Sequence, residues 1–432
     1  MDIRETAQAA KAASIQLAAA ETATKQKALK SIAEALKANC EAIVASNRED
    51  LRISEENDLA PPLLKRLKFD EEKIADVIAG IESLMGLSDP VGETLAAIEM
   101  DAGLELYKVS CPIGVVGVIF ESRPDALVQI STLCLKSGNA VLLKGGTEAA
   151  NTNRMLVSVI VEATRRAGIP DGWLQLLETR EDVNDMLKLD QLIDLIVPRG
   201  SNEFVRYIMD HSRIPVLGHA DGICHVYVDA AADPEMATRI AVDAKCQYVA
   251  VCNAMETLLI HEAVGAEFLP GLQQALEKYD VEIRGCAKTR SIIDVAEAGE
   301  KDWKTEYLDT ILSVKIVGSL QEAIDHINFY GSGHTDAIVT GSPESAAMFM
   351  NLCDSGNVFW NCSTRFSDGF RYGLGAEVGV STNKIHARGP VGLEGLLIYK
   401  WQLKGSGQVV ADYAGGNKQF THRPLDKSFS TR

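Results

Sequence analysis

Runs of consecutive apolar residues alternate along the middle of the chain with segments in which apolar residues recur at helical spacing. The runs at residues 113–120, 140–144 and 192–197 each lead into a polar loop and then into a helical pattern. Strands that are buried on both faces of a parallel sheet have this continuous apolar character, and helices connect them. The pattern therefore predicts an α/β fold with a doubly wound parallel sheet.

A second unit of the same kind is predicted after residue 222. Short apolar runs with helical segments between them mark its candidate strands, at residues 226–228, 257–261, 312–317 and 337–340. Strands that alternate with helices again favour a parallel sheet. We therefore expect two doubly wound domains rather than one.

The two ends of the chain depart from this pattern. Residues 3–85 are rich in Ala, Lys and Glu at helical spacing, with a break at Pro61-Pro62, and predict helices that cover a sheet. Residues 93–109 are extended and partly alternating, which predicts a hairpin that leaves the main body, and residues 395–401 are also extended. The last thirty or so residues are polar, and we expect them to be frayed.

Composition and charge narrow the class of protein. With 432 residues, 46% of them hydrophobic, the chain can bury more than one core. The net charge of −17 argues against a nucleic-acid partner or an anionic membrane surface. The acidic start of the chain is unlike a signal peptide, and no apolar run is long enough to span a bilayer. These features predict a soluble, cytoplasmic protein.

The nine cysteines are scattered and include no CxxC pair. This spacing predicts reduced thiols rather than a zinc site or a disulfide framework. Cys252 differs from the others because the small or turn-forming residues Asn253 and Ala254 follow it, just before the predicted strand at 257–261. A thiol on such a loop, beside backbone N–H groups, has the geometry of a nucleophile with an oxyanion hole. The alternative is a buried structural cysteine, which is the usual role of a free thiol.

Two glycine-containing loops lie between a predicted strand and a helix, at residues 145–148 and 198–201. The amides at such a helix start can bind the phosphates of a dinucleotide. The chain has no GxGxxG motif, and glycines end strands in many α/β proteins, so these loops alone are a weak signal for a cofactor.

Several long segments, taken together, resemble the γ-glutamyl phosphate reductase family of proline biosynthesis, a branch of the aldehyde dehydrogenase superfamily. They are GVIFESRP (117–124), LCLKSGNAVLLKGGTEA (133–149), VPRGS (197–201), PVLGHADGICHVYVD (215–229), VCNAMETLLIH (251–261) and the stretch from STRFSDG to HARGPVGLEGL (363–396). The resemblance implies an aldehyde-dehydrogenase-like α/β fold in three parts. These are an NADP-binding domain (1–98 and 113–222), a catalytic domain (223–390), and an oligomerisation flap with the C-terminal tail (99–112 and 391–432).

The resemblance also implies roles for individual residues. Cys252 falls on the catalytic thiol of the family, and NADP(H) is the cofactor. Lys144 falls on the position that contacts the adenosine ribose, and Thr147 lies where NAD-preferring relatives often have a Glu that repels a 2′-phosphate. Ser201 falls at the helix start that faces the pyrophosphate, and Glu306 matches the residue that holds the nicotinamide ribose. Without the resemblance, each of these polar residues reads as an ordinary cap or surface group.

The implied reaction reduces L-glutamyl 5-phosphate to L-glutamate 5-semialdehyde through a thioester on Cys252. The loop of Ser122 is a candidate contributor to the oxyanion hole. The anionic substrate requires cations, for which Arg123, Arg365 and Arg388 are candidates, although any of them could instead form a structural ion pair. The resemblance further implies a homo-oligomer (a dimer or tetramer) and a separate glutamate 5-kinase.

Two alternatives to this reaction remain. Hydrolytic aldehyde dehydrogenases have a water-activating Glu near residues 219–222, where this chain has His, Ala, Asp and Gly. This difference favours an acyl-phosphate reductase over a hydrolytic aldehyde dehydrogenase. A CoA-acylating aldehyde dehydrogenase is distinguished instead by the acyl acceptor that supports turnover. His219 and Asp221 are themselves expected to shape a turn. The second alternative, a non-catalytic scaffold on the same fold, is disfavoured because Cys252, Lys144 and Glu306 are all present.

Overall fold

The computed structural model describes residues 2–219, 221–375, 377–416 and 418–429, apart from the side chain of Arg180. Its helices, numbered in chain order, are α1 (Ile3–Leu17), α2 (Thr22–Ala38), α3 (Cys40–Glu56), α4 (Pro61–Leu67), α5 (Glu71–Gly86), α6 (Pro124–Lys136), α7 (Ala150–Ala167), α8 (Arg180–Met186), α9 (Asn202–His211), α10 (Pro234–Cys246), α11 (Glu262–Glu277), α12 (Ala287–Arg290), α13 (Leu320–Tyr330), α14 (Pro343–Leu352) and α15 (Val410–Ala414). Side chains of Asp2, Asp70, Asp233, Ser319 and Ser342 cap several of these helices by accepting a backbone N–H of the first turn.

The strands, numbered in the same way, are β1 (Thr94–Asp101), β2 (Leu104–Pro112), β3 (Val115–Phe120), β4 (Ala140–Lys144), β5 (Leu174–Leu177), β6 (Leu195–Arg199), β7 (Cys224–Val228), β8 (Met255–His261), β9 (Glu282–Gly285), β10 (Ala296–Glu297), β11 (Ile311–Val317), β12 (Thr335–Val339), β13 (Asn357–Trp360), β14 (Gly379–Ser381), β15 (Gly389–Val391), β16 (Leu397–Lys404) and β17 (Arg423–Pro424).

Internal contacts divide the chain into two compact units. The first comprises residues 1–200, 208–216 and 392–432, and the second comprises residues 201–207 and 217–391. The functional domains expected from the sequence have somewhat different boundaries, and their assignment stays a prediction.

The first unit contains a parallel four-stranded sheet with the order β5-β4-β3-β6. Every residue of β3 and β4 is buried, as the continuous apolar runs at 113–120 and 140–144 predict. The third run starts later than expected, because Leu192 and Ile193 belong to a turn in which their N–H groups donate to the Leu189 carbonyl. The predicted parallel sheet is therefore confirmed, with β6 beginning at Leu195.

A separate antiparallel sheet, β16-β2-β1-β17, also lies in the first unit. It confirms the extended segments predicted near residues 93–109 and 395–401. The expectation of a frayed C-terminal tail is wrong for the described residues. β17 pairs with β1, and the Phe429 ring packs edge-on against Tyr107, with 5.3 Å between their centroids. Apolar contacts of Phe429 and Leu425 with this sheet outweigh the polar composition of the tail.

The second unit is built on a parallel seven-stranded sheet with the order β10-β9-β11-β8-β7-β12-β13. Its central strands β7, β8, β11 and β12 contain the four runs predicted from the sequence, apart from Thr340, which directly follows β12. Apolar cores lie among its buried residues, one including Leu258 and Leu272 and another including Leu259 and Phe349. Strands that are covered in this way confirm the second doubly wound sheet. Among the described residues, no helix combines the length and the apolar character that crossing a membrane would need.

Candidate active site

The loop that carries Cys252 joins α10 to β8 in the second unit. Its turn is closed by the Ala254 N–H, which donates to the Val251 carbonyl at 3.0 Å, and Cys252 itself is half-buried. The side-chain amide of Asn253 donates to the Ser367 carbonyl at 2.7 Å. These bonds fix the backbone around the sulfur and place a thiol on a rigid turn at the start of a buried strand.

Gly222 packs directly against this loop. A Cβ atom built on Gly222 would lie 2.1 Å from the Cys252 carbonyl oxygen and 2.4 Å from its Cα atom, so no larger residue fits without a backbone shift. The Cys224 thiol donates to the same carbonyl at 3.1 Å. The segment before β7 therefore supports the backbone of Cys252 from behind, and the glycine is required by this close approach.

Three neighbouring strands begin side by side at this place, in the order β12-β7-β8. His334 comes directly before β12, His219 and Gly222 come shortly before β7, and Cys252 comes shortly before β8. Because these strands are parallel, the residues that precede them meet at one edge of the sheet. Ligands of open parallel sheets ordinarily bind at the carboxyl ends of the strands, whereas this cluster lies at the amino ends.

The cluster consists of one thiol and two imidazoles. The Cys252 sulfur and one ring nitrogen each of His219 and His334 all lie within 4.8 Å of one another. The two rings meet edge to face, with 4.9 Å between their centroids. Burial lowers the pKa of His334 well below its ordinary value, so its imidazole is neutral. The nucleophile candidate thus has two imidazoles beside it, one of them fully buried.

A fully buried ion pair connects the two elements that flank the Cys252 loop. Lys245, near the end of α10, lies 2.7 Å from the carboxylate of Glu256, at the start of β8, and neither side chain is exposed. The Leu308 N–H also donates to Glu256 at 3.2 Å. Burial raises the pKa of Glu256 to about 7 against the opposing effect of Lys245. The pair therefore fixes the two ends of the loop. Each buried charge is compensated only while the other one is present.

Lys245→Met is expected to destabilise the second unit by about 3–5 kcal/mol, because it leaves the Glu256 carboxylate buried without its cation. Without Lys245, the folded-state pKa of Glu256 rises further above its unfolded value. A carboxyl with a raised folded pKa favours folding at low pH and loses that contribution as the pH rises through the folded pKa. The stability deficit of the variant should therefore be larger at about pH 8 than at about pH 6, as measured by urea unfolding.

The control for this experiment is Lys245→Met combined with Glu256→Gln, which removes both charges and keeps an oxygen for the Leu308 N–H. The double variant should recover most of the lost stability and lose the pH dependence. A single variant as stable as the parent protein, or a double variant no better than the single, would show that the pair does not hold the loop.

Glu306 and Ser201 also lie in the second unit. The Glu306 carboxylate accepts hydrogen bonds from the side-chain amide of Asn202 and from the Gly222 N–H. Burial raises the pKa of Glu306, and these hydrogen bonds oppose the rise. Ser201 is exposed at the start of α9, where its hydroxyl accepts the Phe204 N–H at 3.4 Å. Gly222 therefore both packs against the Cys252 loop and positions the Glu306 carboxylate through its N–H.

Asp221, for which the sequence predicts a role in shaping a turn, forms an ion pair and a hydrogen bond. Its carboxylate forms an ion pair with Arg206 and accepts the amide of Asn202 at 3.2 Å. These contacts agree with a turn-shaping role for Asp221. His219 differs, because the fold brings its ring to the Cys252 sulfur.

Lys144 and Thr147 lie in the first unit, at the end of β4 and on the loop that follows it. The Lys144 side chain is buried, and its Nζ donates to the Gly145 carbonyl at 2.5 Å. Thr147 is exposed. The carboxylate of the adjacent Glu148 accepts both the N–H and the hydroxyl of Ser122, at 2.7 and 2.6 Å. Both hydrogen-bond donors of Ser122 are therefore used inside this unit.

The three candidate arginines have very different surroundings. Arg365 is buried in the second unit, where its Nε donates to Gln247 at 2.9 Å. Burial lowers the pKa of Arg365, and the nearby Cys252 charge acts in the opposite direction. Arg388 is held by the side chain and the carbonyl of Asp354, and Arg123 is an exposed residue of the first unit that pairs with Asp125 at 3.0 Å. The electrostatic partners of Arg365 include Cys252.

Two further thiols line a cavity of about 830 Å³ in the second unit. Cys246 and Cys362 both contribute to its wall, together with Arg239 and Gln247. Burial raises the pKa of both thiols. Neither thiol belongs to the cluster of Cys252 with the two histidines, so both are suitable control positions.

Comparisons with known proteins show the family of this chain. A model of the aldehyde dehydrogenase family matches residues 1–290, which include the Cys252 loop. The chain belongs to this family, and it is an oxidoreductase of the aldehyde dehydrogenase type. The predicted aldehyde-dehydrogenase-like fold is thereby confirmed.

Within that family the chain belongs to the γ-glutamyl phosphate reductases, as the sequence segments predict. It is 66% identical over 429 residues to a γ-glutamyl phosphate reductase of Acetivibrio thermocellus, covering 99% of this chain and 100% of the relative. The crystal structure of a γ-glutamyl phosphate reductase from Thermotoga maritima superimposes with a TM-score of 0.93 at 40% identity, over 95% of this chain and 100% of that one. An acetylating aldehyde dehydrogenase of Geobacillus thermoglucosidasius, at 18% identity and a TM-score of 0.63, shares the fold over 94% of this chain and 97% of its own.

Sequence reasoning missed His334 and gave His219 no chemical role. Each lies far from Cys252 along the chain, and only the strand order β12-β7-β8 brings the three together. The usable signal was positional, since each residue lies just before a predicted buried strand. A search of the sequence for reactive side chains at the amino ends of strands would have found all three.

Proposed function

We propose that this chain catalyses the NADPH-dependent reduction of L-glutamyl 5-phosphate to L-glutamate 5-semialdehyde, with release of phosphate, in proline biosynthesis. The observation that carries the proposal is the half-buried Cys252 thiol on a turn fixed by Gly222, with His219 and His334 beside it. The membership of the chain in the γ-glutamyl phosphate reductases supplies the substrate class. A thiol so placed can act as a covalent nucleophile.

In the proposed reaction, the Cys252 thiolate attacks the γ-carbonyl carbon of the substrate and forms a carbon–sulfur bond. The carbon–oxygen bond to the phosphate breaks, and inorganic phosphate leaves with the electron pair. Backbone N–H groups at Cys252 and Asn253 are the candidates for holding the oxyanion. The loop of Ser122 remains a further candidate, although it would first have to release its hydrogen bonds to Glu148.

The second half of the reaction converts the thioester on Cys252 to the aldehyde. When bound, NADPH supplies a hydride to the thioester carbonyl. The resulting thiohemiacetal then collapses, the carbon–sulfur bond breaks, and Cys252 leaves as a thiolate. The rigid turn keeps the sulfur in one place through both halves, which is what covalent catalysis requires of the nucleophile.

The residues present fit NADP(H). Lys144 ends β4, and the loop that follows carries the exposed, neutral Thr147. A carboxylate at position 147 would repel a 2′-phosphate. The carboxylate of the neighbouring Glu148 is turned to Ser122. In the second unit, Ser201 at the start of α9 would face the pyrophosphate, and Glu306 would hold the nicotinamide ribose.

Thr147→Glu should weaken NADPH binding far more than NADH binding. The new carboxylate would lie near the 2′-phosphate, and two like charges a few ångströms apart at a partly exposed site cost on the order of 1–4 kcal/mol. Thr147→Gln has nearly the same size without the charge and should affect both cofactors alike. The measurement is the dissociation constant of each cofactor by fluorescence titration. An equal loss of both cofactors in Thr147→Glu would mean that Lys144 and Thr147 do not line the adenosine pocket.

Arg365 is the cation that we assign to the anionic substrate. It is buried, it interacts with the charge of Cys252, and a guanidinium can bind a carboxylate or phosphate in bidentate fashion. Arg388 is already occupied by Asp354, and Arg123 by Asp125. These two remain candidates that would have to exchange an ion pair for the substrate.

The chain is also proposed to form a homo-oligomer, either a dimer or a tetramer. β16 lies at the edge of the antiparallel sheet and exposes the apolar side chains of Ile398, Trp401 and Leu403. An exposed edge strand with apolar side chains is a common site for pairing between chains. A separate glutamate 5-kinase would supply the acyl phosphate.

The test of the proposed activity follows NADPH formation from L-glutamate 5-semialdehyde and NADP, with and without inorganic phosphate. Phosphate-dependent turnover is the expected result. Turnover that depends on coenzyme A instead, or no turnover with either acceptor, would contradict the proposal.

A further inference from the structure

Three side chains able to bind a soft divalent cation meet at the amino ends of β7, β8 and β12. They are Cys252, His219 and His334, which each offer one ligand atom, and these three atoms lie within 4.8 Å of one another. We propose that these three side chains form a binding site for a zinc ion, and that zinc bound there blocks the nucleophile reversibly.

The known hydrogen bonds of the two rings involve Nδ1, so Nε2 is the proposed ligand atom of each ring. Nδ1 of His219 lies 3.0 Å from the Val380 carbonyl, which can only accept, so this nitrogen carries a proton. Nδ1 of His334 lies 2.8 Å from the Thr335 hydroxyl. Such contacts orient the rings of metal-binding histidines from behind.

His334 gives the second, independent indication of a ligand. Its ring is fully buried, and its Nε2 atom has no hydrogen-bond partner within the part of the chain that the structure describes. A buried polar atom without a partner is costly and rare in folded proteins. A bound cation would satisfy this nitrogen without any change of fold.

The donor set favours zinc over magnesium and calcium. One thiolate and two imidazoles are the ligands of zinc sites, and a fourth position would remain open for water. In a tetrahedral zinc site the ligand atoms lie roughly 3.3–3.6 Å apart, from Zn–S and Zn–N bonds of about 2.3 and 2.0 Å. The three ligand atoms, which lie within 4.8 Å of one another, would therefore have to approach by up to about 1.5 Å on binding. Magnesium and calcium prefer oxygen ligands and should not bind.

Binding would form a zinc–sulfur bond, and the thiol proton would pass to solvent without any redox change. The sulfur lone pair that attacks the acyl carbon would then be held by the metal. The inhibitory half of the proposal rests on the proposed function of Cys252, whereas the metal site itself does not. The two halves therefore have separate readouts.

Cobalt provides a readout of binding that is independent of activity. The full chain, reduced with a phosphine and freed of metal by a chelator, is titrated with Co²⁺, whose bond to a thiolate absorbs in the near ultraviolet. We expect one Co²⁺ per chain, displaced by Zn²⁺, and no charge-transfer band in Cys252→Ala. His219→Gln and His334→Asn should each weaken Zn²⁺ at least tenfold, because even outer partners of metal ligands are worth about 10–100-fold.

Cys286→Ala is the matched control, since it removes another half-buried thiol that lies before α12. It should bind cobalt as the parent chain does. A charge-transfer band that persists in Cys252→Ala, that disappears in Cys286→Ala, or that is unchanged in both histidine variants would overturn the site. His219→Gln keeps the test valid if the buried His334 variant does not fold.

The activity readout separates this proposal from the proposed function. One equivalent of Zn²⁺ should abolish phosphate-dependent turnover, and a chelator should restore it. Zinc bound at the three residues with turnover unimpaired would overturn the inhibitory half. A metal-free protein without any turnover, but with the expected cobalt spectrum, would contradict the proposed function and support the metal site.

Discussion

Replacing Cys252 with serine is expected to lower turnover by at least about 10⁴-fold, as the loss of the nucleophile does in other enzymes with covalent intermediates. A serine hydroxyl has almost the size of the thiol but is hardly ionised near neutral pH, so it cannot form the acyl intermediate at a useful rate. The turn should survive, because its hydrogen bonds use the backbone and the side chain of Asn253. Steady-state rates and a single-turnover experiment measure the effect.

NADPH binding by the Cys252→Ser variant should be close to that of the parent chain. The residues assigned to the cofactor are Lys144, Thr147, Ser201 and Glu306. Lys144 bonds to the Gly145 carbonyl, Ser201 to the Phe204 N–H and Glu306 to the Asn202 amide. A titration of NADPH fluorescence therefore distinguishes loss of chemistry from loss of the fold.

The matched controls are Cys246→Ala and Cys362→Ala, which remove the two thiols that line the neighbouring cavity. Both variants should keep most of the activity. If either one lost its turnover while Cys252→Ala stayed active, the nucleophile would have to be reassigned.

The sequence predicts the sheets of this fold well because buried parallel strands have a local signature. β3 and β4 are continuous apolar runs with every residue buried, and such runs need no knowledge of their neighbours. The tail is the opposite case. Its composition is polar, and the contact of Phe429 with Tyr107 that orders it joins residues more than three hundred positions apart. No local pattern predicts such a contact.

The residues of the candidate site likewise fall into two groups, those that local sequence patterns predict and those that they do not. Cys252 is detectable because the turn and the strand that define it are adjacent in sequence. His334 and Gly222 act on the same atoms from other strands, and their role depends on the order of strands in the sheet, which local patterns do not give. The buried Lys245–Glu256 pair was missed for a different reason, since charged residues are expected on surfaces unless their partner is known.

The arginines show what a resemblance can and cannot provide. It selects three positions from the segments that face a substrate in the family, but it does not show what else each guanidinium binds. Arg388 is held in an ion pair by Asp354, whereas Arg365 is buried and interacts electrostatically with Cys252. Only the surroundings of each side chain separate a candidate anion-binding residue from an arginine already held in an ion pair.

In the reverse direction, inorganic phosphate or arsenate should be required to discharge the thioester on Cys252, and water alone should be a poor acceptor. Hydrolytic relatives use a Glu to activate water, and general-base assistance of this kind contributes typically ~10²–10⁴-fold. Here residues 219–222 contain no Glu, and the carboxylate of Asp221 is held by Arg206 and Asn202. A phosphate ion is already a nucleophile and needs little activation.

The experiment incubates L-glutamate 5-semialdehyde with NADP in phosphate-free buffer and follows NADPH. We expect a single burst of about one NADPH per site, as acylation of one thiol allows, and then arrest until phosphate is added. Steady turnover without phosphate, with glutamate as the product, would instead show hydrolysis. In that case the base would have to come from another group, and the imidazole of His219, close to the Cys252 sulfur, would be the first to replace. A His219→Gln variant that lost the hydrolysis but kept the burst would identify it.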